Sequence, residues 1–195
     1  GLRGSTPLPD TFSGGKQYDS QVDPVLNNLI RIIPDFPKPG IIFKDITPLL
    51  AEPAAFKSCC EDFAKLAASV DYIAGIEARG FIFGAAVSAI SKKGFIPIRK
   101  SGKLPGATLS VSYDLEYGQA SLEIHKDLIP QGSKVLVIDD VLATGGTACA
   151  AIDLLLMAGL QPISIAFLLE IPSLGGKSRI ASTHPQIQIQ TLLAE

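Results

Sequence analysis

Two adjacent carboxylates stand shortly before a glycine-rich turn, and together they suggest a site for a sugar phosphate. Asp139 and Asp140 follow an apolar run at residues 134–138, and residues 144–147 read Thr-Gly-Gly-Thr ahead of a predicted helix. Glycines let a backbone approach an anion closely, and the free N–H groups at a helix start point towards it. Carboxylates a short distance from a bound phosphate are placed to accept hydrogen bonds from two adjacent hydroxyls of the same ligand. The pattern therefore predicts a ligand such as ribose 5-phosphate.

The alternative for this turn is an ordinary helix cap that happens to follow two acids. The carboxylate pair at the end of a buried strand argues against that alternative, because paired acids are unusual there without a function. Other phosphate motifs are absent from the sequence: it contains neither G-x-G-x-x-G nor G-x-x-x-x-G-K-[ST]. A dinucleotide or nucleoside triphosphate site of the usual kind is therefore poorly supported.

Three further segments carry residues suited to anions or to catalysis. Residues 77–80 follow a predicted strand and include Arg79, whose guanidinium can pair with phosphate oxygens as a fork. Residues 99–103 concentrate positive charge beside glycine and proline, as a hinged lid would. Residues 115–118 place one acid, Glu116, in a hairpin turn. Each segment can also be explained without a ligand. Residues 77–80 would then be a capping turn, residues 99–103 a solvated basic loop, and residues 115–118 a turn with one exposed acid.

The elements that position these segments alternate between strand and helix. This alternation predicts an α/β fold with a parallel twisted sheet flanked by helices, whose ligands bind beyond the carboxyl ends of the strands. An antiparallel hairpin is expected within residues 110–125. Strands are predicted at Tyr72–Ile76 and at residues 95–98, 134–138 and 163–169, and helices at residues 23–33, 53–70, 81–91 and 147–158.

Length and composition narrow the class of protein. The 195 residues fit one domain, expected at residues 23–195 after a flexible tail at residues 1–22. A net charge of −2 argues against nucleic-acid binding, and no apolar run approaches the ~20 residues of a membrane span. Three cysteines, two of them adjacent, suit small buried thiols in a reducing compartment, so we expect a cytoplasmic protein without a secretory signal. Both histidines, His125 and His184, are expected to be structural.

Residues 135–147 resemble the phosphoribosyl pyrophosphate (PRPP) signature of the type I phosphoribosyltransferase family. Residues 34–46, 77–81, 99–106 and 115–118 resemble, in the same order, segments of its adenine phosphoribosyltransferase branch. The resemblance extends from about Asn27 to the C-terminus, although Lys44 stands where many relatives carry arginine. It implies the family fold, with a hairpin lid and a small N-terminal hood. It also implies purine salvage, in which adenine and PRPP give AMP and pyrophosphate.

The resemblance further implies roles for individual residues. Glu116 would be the catalytic carboxylate beside the purine N7 and N9, and Tyr117 would shape the closed lid. The peptide bond between Glu77 and Ala78 would be cis. The phosphate and ribose would be held by Asp139, Asp140, Ala143, Thr144, Gly145, Gly146 and Thr147, the pyrophosphate by Glu77, Ala78, Arg79, Arg99, Lys100 and Lys103, and adenine by Ile41, Ile42, Phe43 and Lys44.

The resemblance also implies Mg²⁺ as the cofactor, held mainly by PRPP rather than by direct protein ligands. A homodimer is expected, in which Arg99 could be offered to a neighbouring subunit. Two alternatives stay open: a phosphoribosyltransferase for 6-oxopurines, and a PRPP- or purine-sensing regulator that binds nucleic acid. The net charge, the lack of an added helix-turn-helix segment, the basic loop and Glu116 argue against the regulator.

Overall fold

A computed structural model describes residues 24–114 and 118–193 of the chain. The predicted tail at residues 1–22 and the predicted functional residues Glu116 and Tyr117 lie outside the described residues. The strands are β1 (Arg31–Ile33), β2 (Phe43–Asp45), β3 (Tyr72–Ile76), β4 (Gly94–Lys100), β5 (Thr108–Asp114), β6 (Gln119–His125), β7 (Lys134–Leu142), β8 (Gln161–Glu170) and β9 (Gln188–Leu193). The helices are α1 (Pro24–Asn27), α2 (Thr47–Ala51), α3 (Pro53–Lys65), α4 (Arg79–Ser91), α5 (Gly146–Met157) and α6 (Gly176–Thr183), with 3₁₀ turns at Leu66–Ser69 and Pro172–Leu174.

The main sheet has seven strands in the order β5-β6-β4-β3-β7-β8-β9. The five strands from β4 to β9 run parallel, and β5 and β6 form an antiparallel hairpin along the β4 edge. This arrangement confirms the predicted α/β class and the predicted hairpin. Because the parallel strands share one direction, the segments that follow β3, β4, β7 and β8 meet at the same edge of the sheet.

Both faces of the sheet are buried, and β7 shows why. Its side chains alternate: Val135 and Val137 face the core that includes α5, while Leu136 and Ile138 face the core that includes Phe63 of α3 and Phe83 of α4. All four β7 side chains are fully buried. A strand covered by helices on both sides must be apolar at successive positions, which explains the unbroken run in the sequence. Among the described residues, no helix is long and apolar enough to cross a membrane.

The strand β7 is longer than predicted. Its predicted end was Ile138, but the strand continues to Leu142. The strand β8 pairs with it along this length, and the last pair is Leu142 with Glu170. Asp139 and Asp140 therefore lie within the strand rather than just past it. The pairing with β8 extends the strand beyond the end that the local sequence predicts.

The predicted helix over residues 23–33 is wrong beyond its first turn. The α1 helix ends at Asn27, and Arg31–Ile33 pairs as β1 with β2 in a small antiparallel sheet, with Ile33 opposite Phe43. Isoleucine at 32 and 33 is β-branched and suits a strand, so strand pairing outweighed the helical spacing. Four further elements were not predicted as separate units: the helices α2 and α6 and the strands β2 and β9.

The two-stranded sheet forms the hood over the site, and Asp45 holds it in place. The Asp45 carboxylate is ion-paired with Arg31 of β1 and accepts hydrogen bonds from the Thr47 backbone N–H at 2.9 Å and the Thr47 hydroxyl at 2.6 Å. These hydrogen bonds from Thr47 and Arg31 lower the pKa of Asp45 to about 2. One side chain thus links β1, β2 and the start of α2.

Candidate active site

The Thr-Gly-Gly-Thr turn forms the rim of an open cavity of about 80 Å³ at the carboxyl edge of the sheet. Gly145 is in the left-handed conformation with φ of +80°, which glycine adopts without strain, and α5 begins at Gly146 without a side-chain cap. The first N–H groups of a helix have no partner within the helix, so here they are available to a ligand. The cavity is lined by Asp139, Val141, Leu142, Ala143, Thr144, Gly145, Gly146, Thr147, Ala148 and Phe167.

Helix α6 packs directly against the back of this turn. A β-carbon at Gly176 would lie 2.2 Å from the carbonyl oxygen of Ala143, and one at Gly145 would lie 2.8 Å from the carbonyl oxygen of Gly176. Only glycine at both positions permits this approach of two backbones. On the opposite side, the Thr147 hydroxyl lies 3.3 Å from the hydroxyl of Tyr113 on β5, within hydrogen-bonding distance. The turn is therefore held by the hairpin and by α6.

The carboxylate pair stands behind the turn. The strand's alternation directs Asp139 towards the cavity and Asp140 towards α4, where Asp140 is only 4% exposed. The two acids therefore differ: only Asp139 lines the cavity. Burial and the neighbouring charge of Asp140 raise the pKa of the Asp139 carboxyl well above its ordinary value. A carboxyl in this position favours a cationic group beside it.

Arg79 joins the carboxylate pair to the hood. Its Nε atom lies 2.8 Å from Oδ2 of Asp140, and its Nη1 atom donates to the Lys44 carbonyl oxygen at 3.3 Å. Its guanidinium also lies 4.9 Å from the centre of the Phe43 ring, in a cation–π contact. The predicted pyrophosphate turn is thus connected to the predicted adenine segment. The peptide bond between Glu77 and Ala78 is cis, as predicted.

Glu77 and Arg99 connect the ends of β3 and β4. The Arg99 Nε and Nη2 atoms donate to the Glu77 carboxylate at 3.1 and 3.3 Å, and the Lys100 backbone N–H donates to the same carboxylate at 3.1 Å. The hydrogen bond from Arg99 is the main reason that the pKa of Glu77 is lowered. In this structure, the predicted pyrophosphate residues Glu77 and Arg99 therefore bind each other within one chain.

The basic loop that follows β4 is anchored at its start. The Ser101 hydroxyl and the Gly102 backbone N–H donate to the Glu123 carboxylate of β6 at 2.8 and 3.1 Å, and Arg99 donates to the Lys103 carbonyl oxygen at 3.0 Å. The side chain of Lys103 is exposed at the same edge of the sheet. The loop therefore has more contacts than its glycines and proline suggested.

The predicted adenine segment exposes apolar surface. Ile41 is 41% exposed and Ile42 is 59% exposed, whereas Phe43 is half-buried against the ring of Phe36, with ring centres 5.1 Å apart. Ile41 and Ile42 are therefore not part of a buried strand. Exposed isoleucines beside an aromatic ring provide an apolar surface for a flat base.

Several residues at the site were not predicted to contribute, among them Gly80, Tyr113, Glu123 and Gly176. A β-carbon at Gly80 would lie 2.6 Å from the Ile138 carbonyl oxygen, so glycine there lets α4 approach β7 beside the carboxylate pair. The pair Gly175 and Gly176 is a turn signal in the sequence. Its proximity to Ala143 depends on how β8 returns to the sheet edge, which local sequence does not show.

Comparison with known proteins gives consistent matches. The model of the phosphoribosyl transferase domain matches residues 48–188. Among curated proteins, the adenine phosphoribosyltransferase of Thermobifida fusca is 49% identical over 164 residues, which covers 83% of this chain and 93% of that protein. The adenine phosphoribosyltransferase of Acidothermus cellulolyticus is 51% identical over 166 residues, covering 84% of this chain and 92% of that protein.

Solved structures agree with these relatives. The adenine phosphoribosyltransferase of Thermoanaerobacter pseudethanolicus superimposes with a TM-score of 0.82 at 46% identity, covering 88% of this chain and 98% of that one. The Saccharomyces cerevisiae enzyme, solved in complex with adenine and an iminoaltritol bisphosphate, gives 0.80 at 35% identity over 87% of this chain and 97% of that one. The chain belongs to the phosphoribosyl transferase domain family, and within it to the adenine phosphoribosyltransferases.

Proposed function

We propose that this protein transfers the 5-phosphoribosyl group from PRPP to adenine, giving AMP and pyrophosphate. One observation carries the proposal: a phosphate turn, a carboxylate pair and an exposed apolar segment meet at one edge of the sheet, and Arg79 connects the last two. These are the subsites that a 5-phosphate, a ribose and a flat base require, in that order. The chemistry is substitution at the ribose C1 atom.

The phosphate turn binds the 5-phosphate. The backbone N–H groups at the start of α5 and the hydroxyls of Thr144 and Thr147 are its donors, while Ala143, Gly145 and Gly146 supply a backbone that the phosphate can approach. The Gly176 contact fixes the turn from behind. A rigid anchor at C5 places the ribose C1 atom at a set distance from the base.

Asp139 and Asp140 hold the ribose hydroxyls. Their negative charge stabilises the positive charge that develops on the sugar ring as its bond to pyrophosphate weakens. The position of Asp139 supports this role, because Asp139 lines the cavity, while Asp140 is buried behind it and ion-paired with Arg79. Burial and mutual repulsion disfavour two free charges here, so a cationic sugar ring would be bound more tightly than a neutral one.

Pyrophosphate leaves along the segments that follow β3 and β4. The cations there are Arg79, Arg99, Lys100 and Lys103, and Ala78 exposes backbone beside them. In this structure Arg79 is paired with Asp140, and Arg99 is paired with Glu77. A polyanionic leaving group would compete for these guanidinium groups, so its binding would rearrange both pairs.

Adenine binds over Ile41, Ile42 and Phe43, and the backbone of Ile42 reads its edge. Lys44 follows on β2, where its carbonyl oxygen already accepts from Arg79. Glu116 manages the proton of the base as the new C–N bond forms, and Tyr117 covers it. Gly118, which follows these two residues, starts the return of the hairpin towards β6 at the mouth of the site.

Magnesium fits this site as part of the substrate. Among residues 24–114 and 118–193, no group of three His, Cys, Asp or Glu side chains could hold a metal ion. The Asp139 carboxylate, which lines the cavity, is an oxygen group that favours a nearby cation. It would face an Mg²⁺ ion whose ligands come mainly from PRPP. The ion would neutralise charge on the pyrophosphate leaving group.

The quaternary state that we propose is a homodimer through α4. Three apolar side chains on one side of this helix are exposed: Ile82 at 39%, with Ala85 and Ala89 at the following helical turns. Ile90 beside them is 49% exposed. An apolar stripe on a helix adjoining the site fits a second copy of the chain. We place the enzyme in the cytoplasm, since its three cysteines are free and buried.

The test is an assay with PRPP, Mg²⁺ and each nucleobase. Adenine should be converted with a kcat/KM at least ~100-fold higher than hypoxanthine or guanine, because a site that binds an exocyclic amine leaves groups unpaired against an oxo base. Comparable values for hypoxanthine would instead identify an enzyme for 6-oxopurines. Binding of PRPP without turnover of any base would favour a regulator.

A further inference from the structure

Arg179 lies over the first turn of the phosphate-binding helix. It belongs to α6, and its guanidinium packs on Gly146 of α5: a β-carbon at Gly146 would lie 3.3 Å from Nη1 of Arg179 and 3.7 Å from its Cζ atom. The backbone carbonyl oxygen of Asp114 lies 3.7 Å from the same point. The charge of Arg179 is therefore held at the N-terminus of α5, beside the end of strand β5.

This is an unfavourable place for a cation unless an anion lies beside it. The N-terminus of a helix carries a partial positive charge, so a basic side chain is repelled there and an acidic one is preferred. Within residues 24–114 and 118–193, the Arg179 guanidinium forms no ion pair that would compensate. Burial raises the pKa of the nearby Cys149 thiol, and the positive charge of Arg179 acts against that rise. The charge of Arg179 therefore acts on a residue in the first turn of α5.

The cavity itself lacks a cation. Its lining consists of backbone, hydroxyl and apolar groups with one acid, Asp139, and contains neither lysine nor arginine. A phosphate monoester brings about two negative charges to this place. Neutral N–H and hydroxyl donors would have to hold that charge beside a carboxylate pair. A formal positive charge beside the turn would remove this imbalance, and the Arg179 guanidinium lies against Gly146 of this turn.

We propose that Arg179 is a phosphate-binding residue, whose guanidinium supplies the formal positive charge for the ligand's 5-phosphate at the start of α5. The inference rests on the proposed function, which brings a 5-phosphate to this turn. Arginine suits the task because its planar group offers five donors and stays charged at all working pH values. The repulsion between this guanidinium and the helix N-terminus is offset when the anion binds between them.

The experiment compares Arg179→Gln with Lys177→Gln. Both residues are exposed on α6 and both substitutions remove one positive charge, but only Arg179 contacts the turn. Titration calorimetry with AMP should show Arg179→Gln binding ~10-fold more weakly, as expected for loss of a partly solvated charge-assisted hydrogen bond. The KM for PRPP should rise similarly, while the KM for adenine stays unchanged. Lys177→Gln should match the wild type.

Thermal unfolding distinguishes ligand binding from a structural role. The empty Arg179→Gln variant should unfold at the wild-type temperature or above it, because a repelled cation has been removed, whereas its stabilisation by AMP should be smaller. Arg179→Lys should retain most of the AMP affinity. Equal AMP affinity in Arg179→Gln and Lys177→Gln, or a lower unfolding temperature of the empty variant, overturns the inference. If the wild type itself does not bind AMP, the proposed function fails as well.

Discussion

Replacing Gly176 with alanine should damage both the stability and the activity of the protein, although alanine is the better helix former. Gly176 is the first residue of α6, and a β-carbon there would lie 2.2 Å from the Ala143 carbonyl oxygen and 3.0 Å from the Gly145 backbone nitrogen. An ordinary carbon–oxygen contact is about 3.3 Å or longer. The phosphate turn and α6 must therefore separate by roughly 1 Å.

Two opposed free energies decide the outcome. Alanine in place of glycine favours a helix by about 0.8–1 kcal/mol. Overpacking costs about 1–3 kcal/mol, and the cost here lies towards the upper end because the contacted atoms are backbone. We expect a net loss of about 1–2 kcal/mol, which lowers the Tm by about 2–8 °C in a chain of this length. Displacing the turn by ~1 Å should lower kcat/KM for PRPP by about 100-fold.

The assay is AMP formation at limiting PRPP, together with a thermal melt. Ser178→Ala is the matched control, since Ser178 is exposed on the same helix and gains only helix propensity. This control should keep wild-type kinetics and a Tm at or slightly above that of the wild type. If Gly176→Ala behaves like Ser178→Ala, α6 does not fix the phosphate turn and the reasoning is refuted.

Three other predictions concern the carboxylates and the basic loop. The double variant Asp139→Asn and Asp140→Asn should lose more than ~100-fold in kcat/KM, and its Tm should fall because the buried ion pair of Asp140 is lost; wild-type kinetics would exclude this pair as the ribose site. Glu116→Leu should lower kcat with little effect on PRPP binding measured by calorimetry, and the opposite pattern would contradict its role with the base. Trypsin cleavage at Lys100 and Lys103, followed by mass spectrometry, should slow when PRPP and Mg²⁺ bind; equal rates, with casein digestion as the control for protease activity, would show that the loop does not close on the ligand.

Local sequence was sufficient for the elements whose signals are strong and short-ranged. The strand β3 matched its prediction residue for residue, because buried apolar residues bounded by turns leave little choice. The turn after β7 was predicted from its glycines, and the left-handed Gly145 accounts for one of them. The family resemblance went further, since the cis bond between Glu77 and Ala78 has no signal in composition or periodicity.

The errors occurred where tertiary pairing outweighs local preference. Residues 31–33 fit the spacing of a helix, but their partner is β2, ten to fourteen positions along the chain. The ending of β7 depended on β8 in the same way. The burial of Asp140 could not be predicted either, because it depends on Arg79 of helix α4, which lies against this strand residue only in the folded chain.

Arg79 contributes to the site through the shape of its side chain as well as through its charge. Its guanidinium contacts the Asp140 carboxylate, the Lys44 carbonyl oxygen and the Phe43 ring, so a single group connects the proposed ribose and base subsites. A lysine there would keep the charge but could not make the planar contacts on three sides at once. The proposed competition of pyrophosphate for this guanidinium would weaken its contacts to the base subsite. The proposed function therefore predicts that binding of the donor and the shape of the base subsite are coupled through this side chain.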